Sequence, residues 1–356
     1  MLPVKLIPKE YELISSWLIR LSLANGISLR RLSQLIFDNS SLIQKDIDKY
    51  LSKDDINGIS QITDISKNQI YSHTLQALNS HIYYQPPTIK SKWSWIIPSG
   101  GKYILKTHGL QFCPECLNNK EINFSHFTRL SWNICCKKHK KLLYINCPKC
   151  NHPFSPQLLE PNCELSLCVY CHFDLSKIED ECSISSEAIE LQQFLNECFL
   201  TNKIQNSQYH ILDKSIKEVF YTIRVIIQFL YRIRNKTKLF QNLQNELHVK
   251  FLVSDFQAKY KPIDTLSSQE RITLLHNTSL LLKHPIQNTE KYLHQNITYR
   301  QLFGSNNSIP HSQTIKFLCK SLKIRTMNQP TKKPTIIKPK SKEEVDTLMY
   351  HIEEFL

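Results

Sequence analysis

The sequence predicts a mainly α fold in which a cysteine-rich module sits between two helical regions. Three observations lead there. Three short cysteine pairs and one Cys-His pair crowd between Cys113 and Cys171, the flanks repeat apolar residues at helical spacing, and only 6 glycines occur in 356 residues. The expected organisation is an N-terminal helix-turn-helix-like domain with a bridge over 1–112, the module over 113–175, a C-terminal helical domain over 176–325, and a basic linker with a terminal helix over 326–356. A hydrophobic content of 41% is enough to fold the bulk of such a chain.

In chain order, "YELISSWLIRLSLANGISLRRLSQLIF" sets Leu13, Trp17, Leu18 and Leu21 on one helical face. Asn25-Gly26 supplies the stop, and Ser28 can cap a second helix carrying Leu32, Leu35 and Ile36. Two helices joined by a short Gly-containing turn suggest a helix-turn-helix, with Arg20, Arg30 and Arg31 either facing nucleic acid or forming a solvated face. Residues 40–75 continue polar and helical. "QPPTIKSKWSWIIPSGGKY" then breaks the pattern with Pro86, Pro87, Pro98, Gly100 and Gly101, and its Trp93 and Trp95 are expected to pack.

The cysteines fall into two quartets. Cys113-x2-Cys116 is followed by Cys136-x2-His139, and Cys147-x2-Cys150 by Cys168-x2-Cys171. Two soft ligands two residues apart can be aimed at one ion by a tight turn, and two such pairs make a tetrahedral Zn²⁺ site. Pro114 and Pro148 help fix such turns. A tandem zinc-finger module with two structural Zn²⁺ follows. Cys136 keeps the two-residue gap, so it is the expected ligand of the Cys135–Cys136 doublet. Two alternatives stay open: Cys135 with a three-residue gap, or Cys163 in place of Cys168. Cys163, Cys182, Cys198 and Cys319 lack paired spacing and read as structural.

Beyond Asp174 helices resume. Ile216, Val219, Ile223, Ile227 and Leu230 form one stripe; a Ser-capped helix follows with Ile272, Leu275 and Leu282 inward. After a Gly304–Pro310 turn comes a helix with Ile315, Leu318 and Leu322 inside, and Lys316, Lys320, Lys323 and Arg325 on its exposed side as candidate nucleic-acid or partner contacts. "MNQPTKKPTIIKPKSK" holds lysines and prolines with no acid, as a linker or basic arm does.

Charge and missing motifs narrow the function. The formal charge is +14, split +5, +2 and +7 over 1–112, 113–175 and 176–356. Two Zn²⁺ with seven thiolates would bring it near +11, and Lys137, Lys138, Lys140 and Lys141 around His139 either offset thiolate charge or touch phosphates. No G-x-x-x-x-G-K-[ST], G-x-G-x-x-G or H-E-x-x-H occurs, and His108-Gly109-Leu110 fails the H-x-E of nucleobase deaminases. With four ligands per ion and no open position, neither zinc is expected to be catalytic, and no enzyme is expected. The N-terminus does not read as an export signal, and "VFYTIRVIIQFLYRIR" is interrupted by Arg224 and Gln228. A bacterial cytoplasmic protein with reduced cysteines is the expectation.

Glu12 to Gly26 with its Ser15-Ser16-Trp17, the C-P-x-C-L at Cys113, "RLSW" at Arg129–Trp132, C-x-x-H at Cys136, C-P-x-C at Cys147 and the last C-x-x-C at Cys168 together resemble the TniQ/TnsD family over residues 10–175. The doublet departs from that family's single cysteine. The resemblance implies a target-site selection adaptor of heteromeric, CRISPR-associated-type transposons, with no chemistry of its own. It would link a Cascade-like CRISPR effector with guide RNA, or attachment-site DNA, to the AAA+ regulator TnsC and so to the transposase. A chain of this length favours the effector-docking branch. Implied partners are TnsC, the effector, DNA and a second copy of the chain, with no membrane. A zinc-containing helix-turn-helix transcription regulator is the alternative; it would share the charge and helices but need no ATPase.

Overall fold

A computed structural model describes residues 2–36, 45–84, 87–88, 91–99, 109–118, 123–179, 184–205, 208–253, 261–303, 312–320 and 322. Helices dominate, and paired backbone among the described residues is confined to isolated bridges. In chain order they are α1 (Ile14–Ala24), α2 (Leu29–Ile36), α3 (Lys53–Thr63), α4 (Lys67–Ser72), α5 (Asn79–Ile82), α6 (Pro114–Leu117), α7 (Ser186–Thr201), α8 (Ile216–Ile233), α9 (Thr237–Leu247), α10 (Ser268–Lys283), α11 (Ile286–Asn296), α12 (Tyr299–Phe303) and α13 (Gln313–Cys319). None of the described helices is long and apolar enough to cross a membrane.

Local sequence accounts for most helix starts. Ser52, Ser66, Ser215 and Ser267 each form a capping box with the residue three on, satisfying two of the backbone donors that a helix start leaves open. Asn25 and Gly26 end α1 as expected, and Gly26 sits at φ +66 with nothing within 4 Å of a would-be Cβ. Its backbone angle, not crowding, makes glycine favourable there. Between the arms of this helix-turn-helix-like pair, Ser28 Oγ accepts from Arg31 N at 3.4 Å.

Buried apolar residues form two clusters. The smaller gathers Ile14, Trp17, Leu18, Leu21, Leu29, Leu32, Ile59 and Ile70 from α1–α4. The larger runs from Leu75 and Trp95 through the cysteine-rich module into α7–α13, with Leu13 also in it. The module and the C-terminal helices therefore share one core. The stripes expected on α8, α10 and α13 are all inside. Two expectations on the first helices fail. Leu35 is 48% exposed, turned away from the face that carries Leu32. Arg20 is turned in: its Nε and Nη2 each donate to the Glu12 carboxylate at 2.8 Å, and Glu12 is fully buried. Arg20 is thus a structural partner of Glu12 and not an open cation.

Polar groups tie the two cores together. Arg129, fully buried, donates to Asp46 Oδ2 at 2.7 Å, Asp48 Oδ2 at 3.1 Å and Ile97 O. Burial pushes both carboxyls up while Arg129 pulls them down; Arg129 prevails at Asp46, and burial with the neighbouring Asp46 charge prevails at Asp48. Asp48 also accepts Ser15 N and Oγ, so α1 is pinned through this cluster. Trp95 packs edge-on against Trp132 and Phe220, its backbone N–H donating to Asp264, which also accepts from Arg224 and Ser131. Both bridge tryptophans are buried, as expected, whereas Pro86, Gly100 and Gly101 lie outside the described residues.

Candidate metal centres

Three of the four ligand pairs sit on one repeated backbone device. For Cys136, Cys147 and Cys168 alike, the cysteine N–H donates five residues ahead, to Lys141, His152 and Phe173 O. The N–H four residues ahead donates back to the cysteine carbonyl, from Lys140, Asn151 and His172. Bridges Cys135↔Leu142, Asn146↔Pro153 and Leu167↔Asp174 close each hairpin one residue further out. The return is made by a residue in the left-handed region, at φ 58, 57 and 56, and none of the three is glycine. The fourth pair differs: Cys113 is the N-cap of α6 with Pro114 at its first position, and Leu117 N donates to Cys113 O.

These turns bring the expected residues together in two groups. Cys113, Cys116, Cys136 and His139 form one, Cys147, Cys150, Cys168 and Cys171 the other, and within each the ligand atoms all lie within 4.8 Å of one another. In the first group His139 Nδ1 is 3.2 Å from Cys116 Sγ, 3.5 Å from Cys113 Sγ and 3.8 Å from Cys136 Sγ, and Cys116 Sγ is 3.7 Å from Cys136 Sγ. In the second, Cys147–Cys171 and Cys150–Cys168 sulfurs are 3.6 and 3.7 Å apart. Sulfurs joined in a disulfide would be about 2.05 Å apart. Each group could hold a metal ion, and each supplies four ligand atoms.

The doublet is resolved geometrically. Cys135 is buried outside the group, its Sγ 3.6 Å from Cys136 O, and Cys163 is exposed and likewise outside the second group. Cys198 is buried and Cys319 partly so, while Cys182 lies outside the described residues. Within the first group, hydrogen bonds from the Cys113 and Cys116 thiols outweigh burial and hold Cys136 well below the usual thiol range. In the second, the Phe173 N–H brings Cys171 down to about 7, and burial pushes Cys147 up to about 12. Each centre thus has one thiol disposed to be thiolate, the form that takes a metal.

Residues that the sequence did not single out fix the approach to Cys136. Gln192 of α7 spans the Ile134–Cys135 backbone, Asn196 accepts from Trp132 Nε1 at 2.8 Å, and Arg271 of α10 donates to the carbonyls of Ser131 and Asn133. Arg271 is fully buried and directly contacts no carboxylate among its described hydrogen-bond partners; burial lowers it to about 9. Across the second centre, His152 and Tyr170 stack with centroids 4.3 Å apart.

Of the other candidate contacts, Arg30, Arg31, Lys137, Lys138, Lys140, Lys316 and Lys320 are exposed and Lys141 is half-buried; Lys323 and Arg325 lie outside the described residues. The motif residues Glu12, Ser16, Trp17, Arg129 and Trp132 are all buried and hydrogen-bonded. Their sequence pattern therefore records how the N-terminal helices seat on the module.

No curated protein matches the chain. The TniQ family model matches residues 3–143, which hold both N-terminal helices and the whole first centre but stop short of the second. Over that stretch, less than half of the 356 residues, the chain is similar to a TniQ domain, a domain of transposition-associated proteins.

Proposed function

We propose that this chain is a non-enzymatic target-site selection adaptor in DNA transposition, built around two structural zinc ions. The TniQ match over 3–143 carries the reading, since TniQ proteins are transposon adaptors rather than enzymes. The donor sets fit zinc. A tetrahedron with Zn–S bonds of about 2.3 Å and Zn–N of about 2.05 Å has S···S edges of about 3.8 Å and S···N edges of about 3.6 Å. The sulfurs here stand 3.6–3.7 Å apart and His139 Nδ1 stands 3.2–3.8 Å from its three sulfurs. Cys113, Cys116, Cys136 and His139 would hold one ion and Cys147, Cys150, Cys168 and Cys171 the other; bound zinc supplies cross-linking, with no ligand position left for water.

In this reading the chain joins a site-recognising element, a Cascade-like CRISPR effector with guide RNA or attachment-site DNA, to the AAA+ regulator TnsC in the bacterial cytoplasm. It accelerates nothing itself and acts by raising the local concentration of the parts that do. The test is a pulldown of TnsC and effector by the zinc-loaded chain, paired with an integration assay. Deleting the chain should abolish targeted insertion while leaving ATP hydrolysis by the regulator unchanged. Failure to bind either partner, with promoter regulation by the chain alone, would replace the adaptor by a transcription regulator.

A further inference from the structure

The three hairpins share one set of backbone hydrogen bonds and can be compared position by position. Because those bonds are the same, differences among them at positions one, two and four residues past the first ligand lie in the side chains and not in the turn. At the second and third hairpins these positions hold Pro148, Lys149 and Asn151, and Val169, Tyr170 and His172. At the first they are Lys137, Lys138 and Lys140, all exposed, with Lys141 following. None of the four lysines forms an ion pair with a described residue.

Electrostatics separates the two centres further. Three thiolates, a histidine and one Zn²⁺ leave the first centre at −1; the four lysines and Glu115 within its ligand loops raise the local sum to +2. Four thiolates and one Zn²⁺ leave the second at −2, and Lys149 brings it only to −1. Thiolate charge is therefore overcompensated at the first centre and undercompensated at the second, where neutralising thiolates would matter more. Offsetting ligand charge does not explain where the lysines are.

Backbone conformation gives an independent pointer. The left-handed position is taken by Asn151 and His172 in two hairpins, residue types that tolerate it, and by Lys140 at φ 58 in the first. A lysine held there is not chosen for the turn, and strain of this kind collects where a side chain is needed for something else.

We infer that the first hairpin tip, Lys137, Lys138 and Lys140, is a docking surface for the phosphate backbone of duplex DNA. No aromatic ring lies at its three exposed tip positions, so the bases of a single strand would find nothing to stack on. A compact cluster of lysines matches a line of phosphates without reading sequence. The choice of DNA over RNA rests on the transposition reading above.

The experiment uses the full-length zinc-loaded chain and fluorescence anisotropy on a duplex of arbitrary sequence at several salt concentrations. The triple variant Lys137→Gln, Lys138→Gln, Lys140→Asn should keep its zinc and its melting temperature. Its affinity should fall about tenfold or more, with a salt slope shallower by about 3, at roughly 0.9 per lost phosphate contact. The single variant Lys138→Glu should weaken binding in the same direction, and Lys149→Gln at the other centre should leave it unchanged. Equal affinity and slope in parent and triple variant, absence of duplex binding by the parent, or preference for single strands or an RNA duplex of the same sequence would each overturn the proposal. Binding to TnsC and effector is scored on the same variant, so loss of DNA contact and failure of the adaptor reading are told apart.

Discussion

Gln192 holds the backbone of Cys135 as a neighbouring strand would. Its Oε1 accepts from Cys135 N at 3.0 Å and from Ile134 N at 2.7 Å, while its Nε2 donates to Cys135 O at 2.9 Å. Gln192 is on α7, 57 residues from Cys135, and both are buried. The clamp fixes the peptide plane immediately before Cys136, and so decides which sulfur of the doublet faces Cys113, Cys116 and His139. A C-terminal helix thereby sets the register of the first centre.

Replacing Gln192 by Leu keeps the volume and removes all three bonds to the buried Ile134–Cys135 backbone. The expected cost is about 2–4 kcal/mol, at roughly 1 kcal/mol or somewhat more for each buried hydrogen bond lost. The loss should be confined in its metal signature. In a chelator titration followed with a zinc indicator, one of two ions should come off earlier and the other at the parent's concentration. Release of both together, or of neither, would show that the clamp does not act on the first centre.

The doublet itself gives a sharper contrast. Cys136→Ser should lower zinc content from two ions to one, since Cys136 lies in the ligand group, and Cys135→Ala should leave two. Cys135→Ala still costs stability, about 1 kcal/mol for a small buried side chain, without touching metal content. Elemental analysis of the purified variants reads the difference directly. The reverse pattern would mean that the hairpin slips by one residue on metal binding.

The ligand groups and the serine starts of two helices were legible because their causes are local. A two-residue gap between soft ligands, or Ser267 three residues before Glu270, is complete within one turn of chain. What stayed hidden depends on residues far apart in sequence. Arg20 looks like any surface arginine until Glu12 is found fully buried beside it, and Arg271 reads as the solvent side of a helix although it reaches Gln111, 160 residues away. The hairpin returns escaped notice for another reason. Left-handed turns are usually sought through glycine, and here Lys140, Asn151 and His172 make them. The signal available was the invariant distance from each first cysteine, which repeats at 136, 147 and 168.

His126 should make the protein acid-sensitive in a defined window. It lies where the N-terminal segment meets the module, its N–H donating to Tyr11 O, and its ring is buried. Burial lowers its pKa from 6.5 to about 4, so the folded state keeps the ring neutral where the unfolded chain would protonate it. The sign follows from linkage. Above pH 6.5 neither state binds the proton and there is no penalty; between 6.5 and 4 the unfolded state alone binds it, and stability falls with pH. The loss amounts to about 2 kcal/mol between pH 7 and pH 5 and about 3 kcal/mol below pH 4. His126→Leu removes this proton and keeps the site apolar. Urea unfolding of parent and variant at both pH values isolates the contribution, because every other acid effect is common to the two. The parent should lose about 2 kcal/mol more than the variant on going to pH 5. Parallel losses would mean that the His126 ring is reached by water in the folded protein and that the seam between the N-terminal helices and the module is open.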